Sequence, residues 1–141
     1  VRFKELRVEA EWNDPRLNPL LKKIVTDAAG RALERWNWEF LVTCIYRTPL
    51  ENDVLYGGKG DHLSGVHTTW RGVDVRTIMT DPAAILDITT TVNDEYQYDA
   101  DRQGMRVALP EGGKDFGSTG AHLHFQVSPA TVSREEMLVR A

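Results

Sequence analysis

The sequence predicts an α+β domain: a small, mainly antiparallel sheet flanked by helices. Three observations predict it. Asn18-Pro19 and Asp81-Pro82 each open an apolar stripe at helical spacing, residues 39–46 are rich in β-branched and aromatic side chains, and residues 121–128 alternate cleanly between polar and apolar. No internal repeat, low-complexity tract or long linker interrupts the 141 residues, so residues 1–141 read as a single domain. A chain of this length can bury a real core without disulfide staples.

The first predicted helix has Asn18 as N-cap and Pro19 as its first residue. Leu20, Ile24, Ala28 and Trp36, with Leu21, Val25, Ala29 and Leu33 beside them, form its apolar stripe, and it is expected to end near Trp36. Residues 39–46 then read as a buried strand. Residues 47–65 read as a connecting loop, broken by Pro49, Gly57, Gly58, Gly60 and Gly65. A short strand follows over residues 72–76. Asp81 caps and Pro82 opens a second helix, with Ile85, Ile88, Val92 and Tyr96 on one face. A polar turn at 99–104, a strand at 105–109, a glycine-rich loop at 111–120 and a last strand at 121–128 complete the reading, with a short helix or a frayed tail after Pro129.

Hydrophobic residues make up 41% and charged residues 27%, the composition of a soluble globular protein. The formal net charge of -4 argues against a dedicated nucleic-acid binder, which carries a basic surplus. No apolar stretch approaches the length of a membrane span, and no signal peptide is visible, which leaves localisation open. Cys44 lies alone in an apolar run and reads as a small buried hydrophobe.

The chemistry concentrates around the histidines. His67 and Asp74 stand seven residues apart in Ser64-Gly-Val-His-Thr-Thr-Trp-Arg-Gly-Val-Asp74. On a strand, Val73 and Val75 point to one face and Asp74 and Arg76 to the other. A turn through Trp70-Arg71-Gly72 can bring His67 back against Asp74, and Gly72 suits a crowded backbone there. In the second context, Leu123, Phe125 and Val127 form one face of a strand and His122, His124 and Gln126 the other. Imidazoles on a half-buried strand are costly unless something uses them. Two histidines and one carboxylate are a suitable ligand set for catalytic zinc, with a third histidine left for proton transfer. Such a metal lowers the pKa of a bound water and polarises a carbonyl.

These stretches resemble the zinc D-alanyl-D-alanine carboxypeptidase group. Ser64 to Asp74 resembles its Ser-x-His-x-x-Gly-x-Ala-x-Asp signature, and Ala121-His-Leu-His124 resembles the second motif of the wider group that includes murein endopeptidases and the hedgehog signalling domain. Tyr46-Arg47-Thr48 resembles the segment that precedes the first motif. The resemblance runs from about residue 41 to residue 128. It implies a hedgehog-like or D-Ala-D-Ala-peptidase-like fold, one zinc ion per chain held by His67, Asp74 and His124, and hydrolysis of a peptide bond in peptidoglycan. His122 matches the histidine that assists proton transfer. Arg47 matches an arginine that stabilises the oxyanion or binds substrate, with a solvated loop residue as the plain alternative. Ser64 matches the motif serine, a hydrogen-bonder behind the ligands. Trp70 either lines the pocket or packs over the site, and a phage or prophage source is implied.

The sequence also departs from the pattern. Trp70 replaces the motif glycine and Gly72 the motif alanine. The acidic general base of the carboxypeptidase branch falls on Ala121, and that of the hedgehog branch on Ser118. Three expectations follow: His122 is the base, Asp115 reaches in from the loop, or the site binds zinc without turnover. A non-catalytic zinc-binding module and a metal-free phage structural domain therefore stand as alternatives. Lysostaphin-type endopeptidases need a histidine where Trp70 stands, and non-haem iron oxygenases need a His-x-Asp spacing that is absent. His62 reads as a solvated loop histidine, with a substrate-facing role as the alternative.

Overall fold

The computed structural model describes residues 1–112 and 120–140. Its main sheet has five strands in the order β1 (Arg2–Phe3), β2 (Leu41–Cys44), β3 (Gly72–Arg76), β6 (His122–Gln126) and β5 (Ala108–Glu111). Among the described residues, only the β1–β2 pair is parallel. A small second sheet joins β4 (Tyr96–Gln97) to β7 (Val132–Ser133). The chain is thus α+β with a mixed, mainly antiparallel sheet flanked by helices, as expected from the sequence.

Helix α2 (Pro19–Trp36) begins as its cap residues dictate: the Asn18 side chain accepts a hydrogen bond from the Leu21 amide at 3.1 Å. Helix α4 (Pro82–Glu95) is capped by Asp81 at Ala83 in the same manner. Their apolar faces join one face of the sheet in a common core, in which Leu21, Ile24, Val25 and Ile88 are buried with Val73, Val75, Leu123 and Phe125. The two strand alternations read from sequence therefore hold for their apolar sides.

Several local expectations are corrected. The stripe on α2 stops at Ala32; Leu33 and Trp36 are exposed, and Trp36 donates its indole N–H to Asp87 at 3.0 Å instead. Tyr96 leaves its helix and opens β4. The strand expected over 105–109 lies at Ala108–Glu111, with Pro110 tolerated because β5 is an edge strand. Residues 47–65 are not all loop. Thr48 and Glu51 form a reciprocal capping box that starts helix α3 (Pro49–Leu55). Helix α1 (Leu6–Trp12) had no reading from sequence; its buried Glu11 accepts from the Tyr46 amide at 3.2 Å and so ties α1 to the end of β2. A short helix α5 (Arg134–Arg140) follows β7. Among the described residues, no helix is long and apolar enough to cross a membrane.

Candidate metal centre

The face of the sheet opposite the helical core carries the polar residues. Strands β3 and β6 pair so that Asp74 faces His124 and Arg76 faces His122. Register alone therefore sets Asp74 and His124 side by side. His67 arrives from a single 3-10 turn, His67–Thr69, which ends at Trp70 in the left-handed region with φ 60°. The Arg71 amide then donates back to the Val66 carbonyl at 2.8 Å, reversing the chain into β3. Gly72 allows this close fold-back, because a Cβ there would lie 2.8 Å from Val66 Cγ2 and 3.2 Å from the His67 ring.

All four groups crowd around one carboxylate. His124 Nδ1 is 2.7 Å from Asp74 Oδ1, and His67 Nε2 is 3.3 Å from Asp74 Oδ2. Arg47 approaches Oδ2 at 3.6 Å and His122 Nε2 approaches Oδ1 at 3.8 Å. His67, Asp74 and His124 are buried. Burial works against a charged His67, but the Asp74 carboxylate outweighs it and holds the imidazole pKa well above the usual histidine value. Burial also opposes ionisation of Asp74; His67 and His124 overcome it and keep the carboxyl well below its ordinary range.

The outer ring nitrogens are spoken for. His67 Nδ1 donates to the Ile45 carbonyl at 2.9 Å. The Gln126 amide nitrogen donates to the Arg106 carbonyl at 2.8 Å, which turns its oxygen toward His124 Nε2 at 3.0 Å. His122 Nδ1 donates to the Gly120 carbonyl at 2.7 Å. In each ring the remaining nitrogen faces the Asp74 carboxylate.

No protein-family model, curated protein or solved structure matches the chain.

Among the described residues, Cys44, His67 and Asp74 each bring a ligand atom within 4.8 Å of the other two, a group that can hold a metal ion. Cys44, expected to be a small buried hydrophobe, is half-buried, with Sγ 3.7 Å from His67 Nδ1. Its proximity depends on the β2–β3 pairing that sets Cys44 opposite Asp74, which no local pattern announces.

A cavity of about 520 Å³ opens over this cluster, lined by His67, Asp74, His122 and His124 and also by Arg47 and Glu111. Arg47 is held by the Asn52 side-chain oxygen at 2.8 Å. The sequence expectation places Glu111 in the glycine-rich loop. Glu111 closes β5 opposite His122, with Oε2 3.7 Å from His122 Nε2. Burial lowers the His122 pKa, but Glu111 and Asp74 raise it to about 8, and pairing with His122 in turn lowers the Glu111 pKa.

The other expected residues fall as follows. Ser64 is exposed on the cavity rim, and its hydroxyl makes no hydrogen bond with the described residues. The motif serine stands two residues before its histidine, which is the place of Gly65 here. Trp70 does not line the cavity; it stacks on Tyr46 with ring centroids 4.5 Å apart and an interplanar angle of 13°. His62 does line the cavity and packs on Tyr56. Asp115 lies outside the described residues.

Proposed function

We propose that this chain is a zinc metallopeptidase that hydrolyses a peptide bond in bacterial peptidoglycan peptides, with His67, Asp74 and His124 as the ligands. One observation carries the metal reading. Hydrogen bonds to Ile45 and Gln126 occupy His67 Nδ1 and His124 Nε2, so His67 Nε2 and His124 Nδ1 face the two oxygens of Asp74. Second partners of this kind are what orient imidazole ligands. The donor set, two neutral imidazoles and a carboxylate, suits zinc. Cys44 is the weaker third ligand, since its sulfur lies on the Nδ1 side of His67, where the proton is already given to Ile45.

When bound, zinc would polarise the scissile carbonyl and ease deprotonation of water near neutral pH. The chain's own residues supply the rest. Arg47, fixed by Asn52, offers a guanidinium to the developing oxyanion or to a substrate carboxylate. Glu111 can accept the proton of the attacking water, and His122, charged at neutral pH with a pKa of about 8, can deliver one to the leaving amine. Glu111 thereby fills the role for which Ala121 and Ser118 are unsuited.

The substrate class rests on the resemblance of residues 64–74 and 121–128 to cell-wall peptidases. A non-catalytic zinc-binding module or phage structural domain is the second reading, favoured by the missing acid at Ala121 and Ser118. The test is zinc content of the parent, His67→Ala and His124→Ala proteins, followed by muropeptide digestion. About one zinc per chain and hydrolysis in the parent alone are expected. Zinc without hydrolysis would favour the module, and no zinc uptake by folded protein would end the metal reading.

A further inference from the structure

Helix α3 carries two consecutive buried polar side chains, Asn52 and Asp53, whose partners lie in the glycine-rich segment beyond it. Asp53 accepts from the Gly60 amide at 2.9 Å and the His62 amide at 3.0 Å. Asn52 donates to the His62 carbonyl at 2.7 Å while its oxygen holds Arg47. Gly57, Gly58 and Gly60 all have positive φ, which lets the segment fold back within reach. His62 is thus clamped through both its amide and its carbonyl, although its side chain is 47% exposed. Its ring packs on Tyr56 at 5.0 Å, and both rings, with Leu55, line the same cavity as His67, Asp74 and His124. A buried carboxylate and amide are costly to place in a short helix for the sake of an exposed loop. The arrangement makes sense when the loop's shape is itself useful, as for binding residues carried on a rigid scaffold.

Resting on the peptidase reading, we propose that Tyr56 and His62 form the cavity wall against which the peptide substrate lies. Tyr56 packs on an apolar side chain of the peptide, and the His62 imidazole donates a hydrogen bond to a peptide carbonyl or carboxylate. Asn52 and Asp53 are positioning residues that hold this wall, and Asn52 links it to Arg47 beside the proposed ligands.

The experiment is binding of a synthetic muropeptide ending in D-alanyl-D-alanine to the zinc-loaded full chain, read by calorimetry and by amide shifts, so that turnover is not required. Tyr56→Ala and His62→Ala should each weaken binding by about tenfold while zinc content stays at the parent level. Asp53→Asn should weaken binding comparably and speed amide exchange at Gly60 and His62, again with zinc retained. A parent that binds the peptide no more tightly than Tyr56→Ala and His62→Ala overturns the wall alone. A parent that takes up zinc but binds no peptide overturns both the wall and the substrate reading beneath it.

Discussion

Asp74 and His124 lie directly opposite each other across the β3–β6 ladder, with Oδ1 2.7 Å from Nδ1. The other nitrogen of that imidazole is committed to Gln126. A carboxylate oxygen therefore meets a ring nitrogen whose single neutral-state proton sits on the far side of the ring.

Asp74→Asn tests the centre of this arrangement. The amide keeps the shape but removes the one negative charge shared by Arg47, His67, His122 and His124. Removing one partner from a buried charge cluster costs on the order of 3 kcal/mol. The variant should unfold at lower temperature in metal-free buffer and should take up far less zinc than the parent. Unchanged melting and full zinc uptake would rule out Asp74 as the hub.

Zinc uptake should release protons. His67 has a pKa held well above that of an ordinary histidine by Asp74, so the metal-free imidazole is charged at neutral pH. A ligand nitrogen must be unprotonated. Apparent zinc affinity should therefore rise with pH through the neutral range and flatten once His67 has lost its proton. Mixing zinc with protein in weak buffer and following an indicator dye measures the release; uptake with no acidification would contradict it.

Gln126 does not line the cavity, yet it fixes His124. Replacing it with leucine removes the oxygen that holds Nε2–H and leaves the Arg106 carbonyl unpaired. Loss of such an orienting partner typically costs about 10- to 100-fold in metal affinity. Gln126→Leu should remain folded and bind zinc that much more weakly in competition with a chelator. Parent-level affinity would show that the tautomer needs no support.

Trp70 has a φ of 60°, in the left-handed region that glycine adopts without strain. The left-handed backbone costs a side-chain-bearing residue about 1 kcal/mol. The stack on Tyr46 and the Arg16 guanidinium 4.5 Å from the ring offset that cost. Truncating a buried aromatic costs about 3–5 kcal/mol. Both Trp70→Gly and Trp70→Ala should therefore destabilise the fold, with the glycine variant about 1 kcal/mol the better of the two. Denaturant titration of the pair reads this difference directly, and an alanine variant equal to the glycine variant would contradict the backbone argument.

What the sequence revealed and what it concealed follow from range. The caps at Asn18 and Asp81 and the alternation from His122 to Val127 are local signals, and the fold keeps them. The capping box Thr48-Pro-Leu-Glu51 is local too, but the glycines that follow it pull the reading of the whole stretch toward loop. The places of Cys44 and Glu111 at the cluster are not set locally. Each reaches the cluster through strand register, Cys44 opposite Asp74 and Glu111 opposite His122, and register couples residues tens of positions apart. The three-residue displacement of β5 shows how easily that information is lost when a strand is short and lies at an edge.

Glu111 gives the sharpest test of turnover. Among the described residues, the acids that line the cavity are Asp74 and Glu111, and Asp74 is engaged by three histidines. If Glu111 accepts the proton of the attacking water, Glu111→Gln should bind zinc and peptide as the parent does but hydrolyse muropeptide at least about 100-fold more slowly, the range of a lost general base. Glu111→Asp should recover part of the rate, because it restores the charge at shorter reach. His122 loses a partner that raises its pKa, so the basic limb of the pH–rate profile should move to lower pH in the glutamine variant. A glutamine variant that retains the parent rate and profile would move the base function to His122 itself or to a residue of the 113–119 segment.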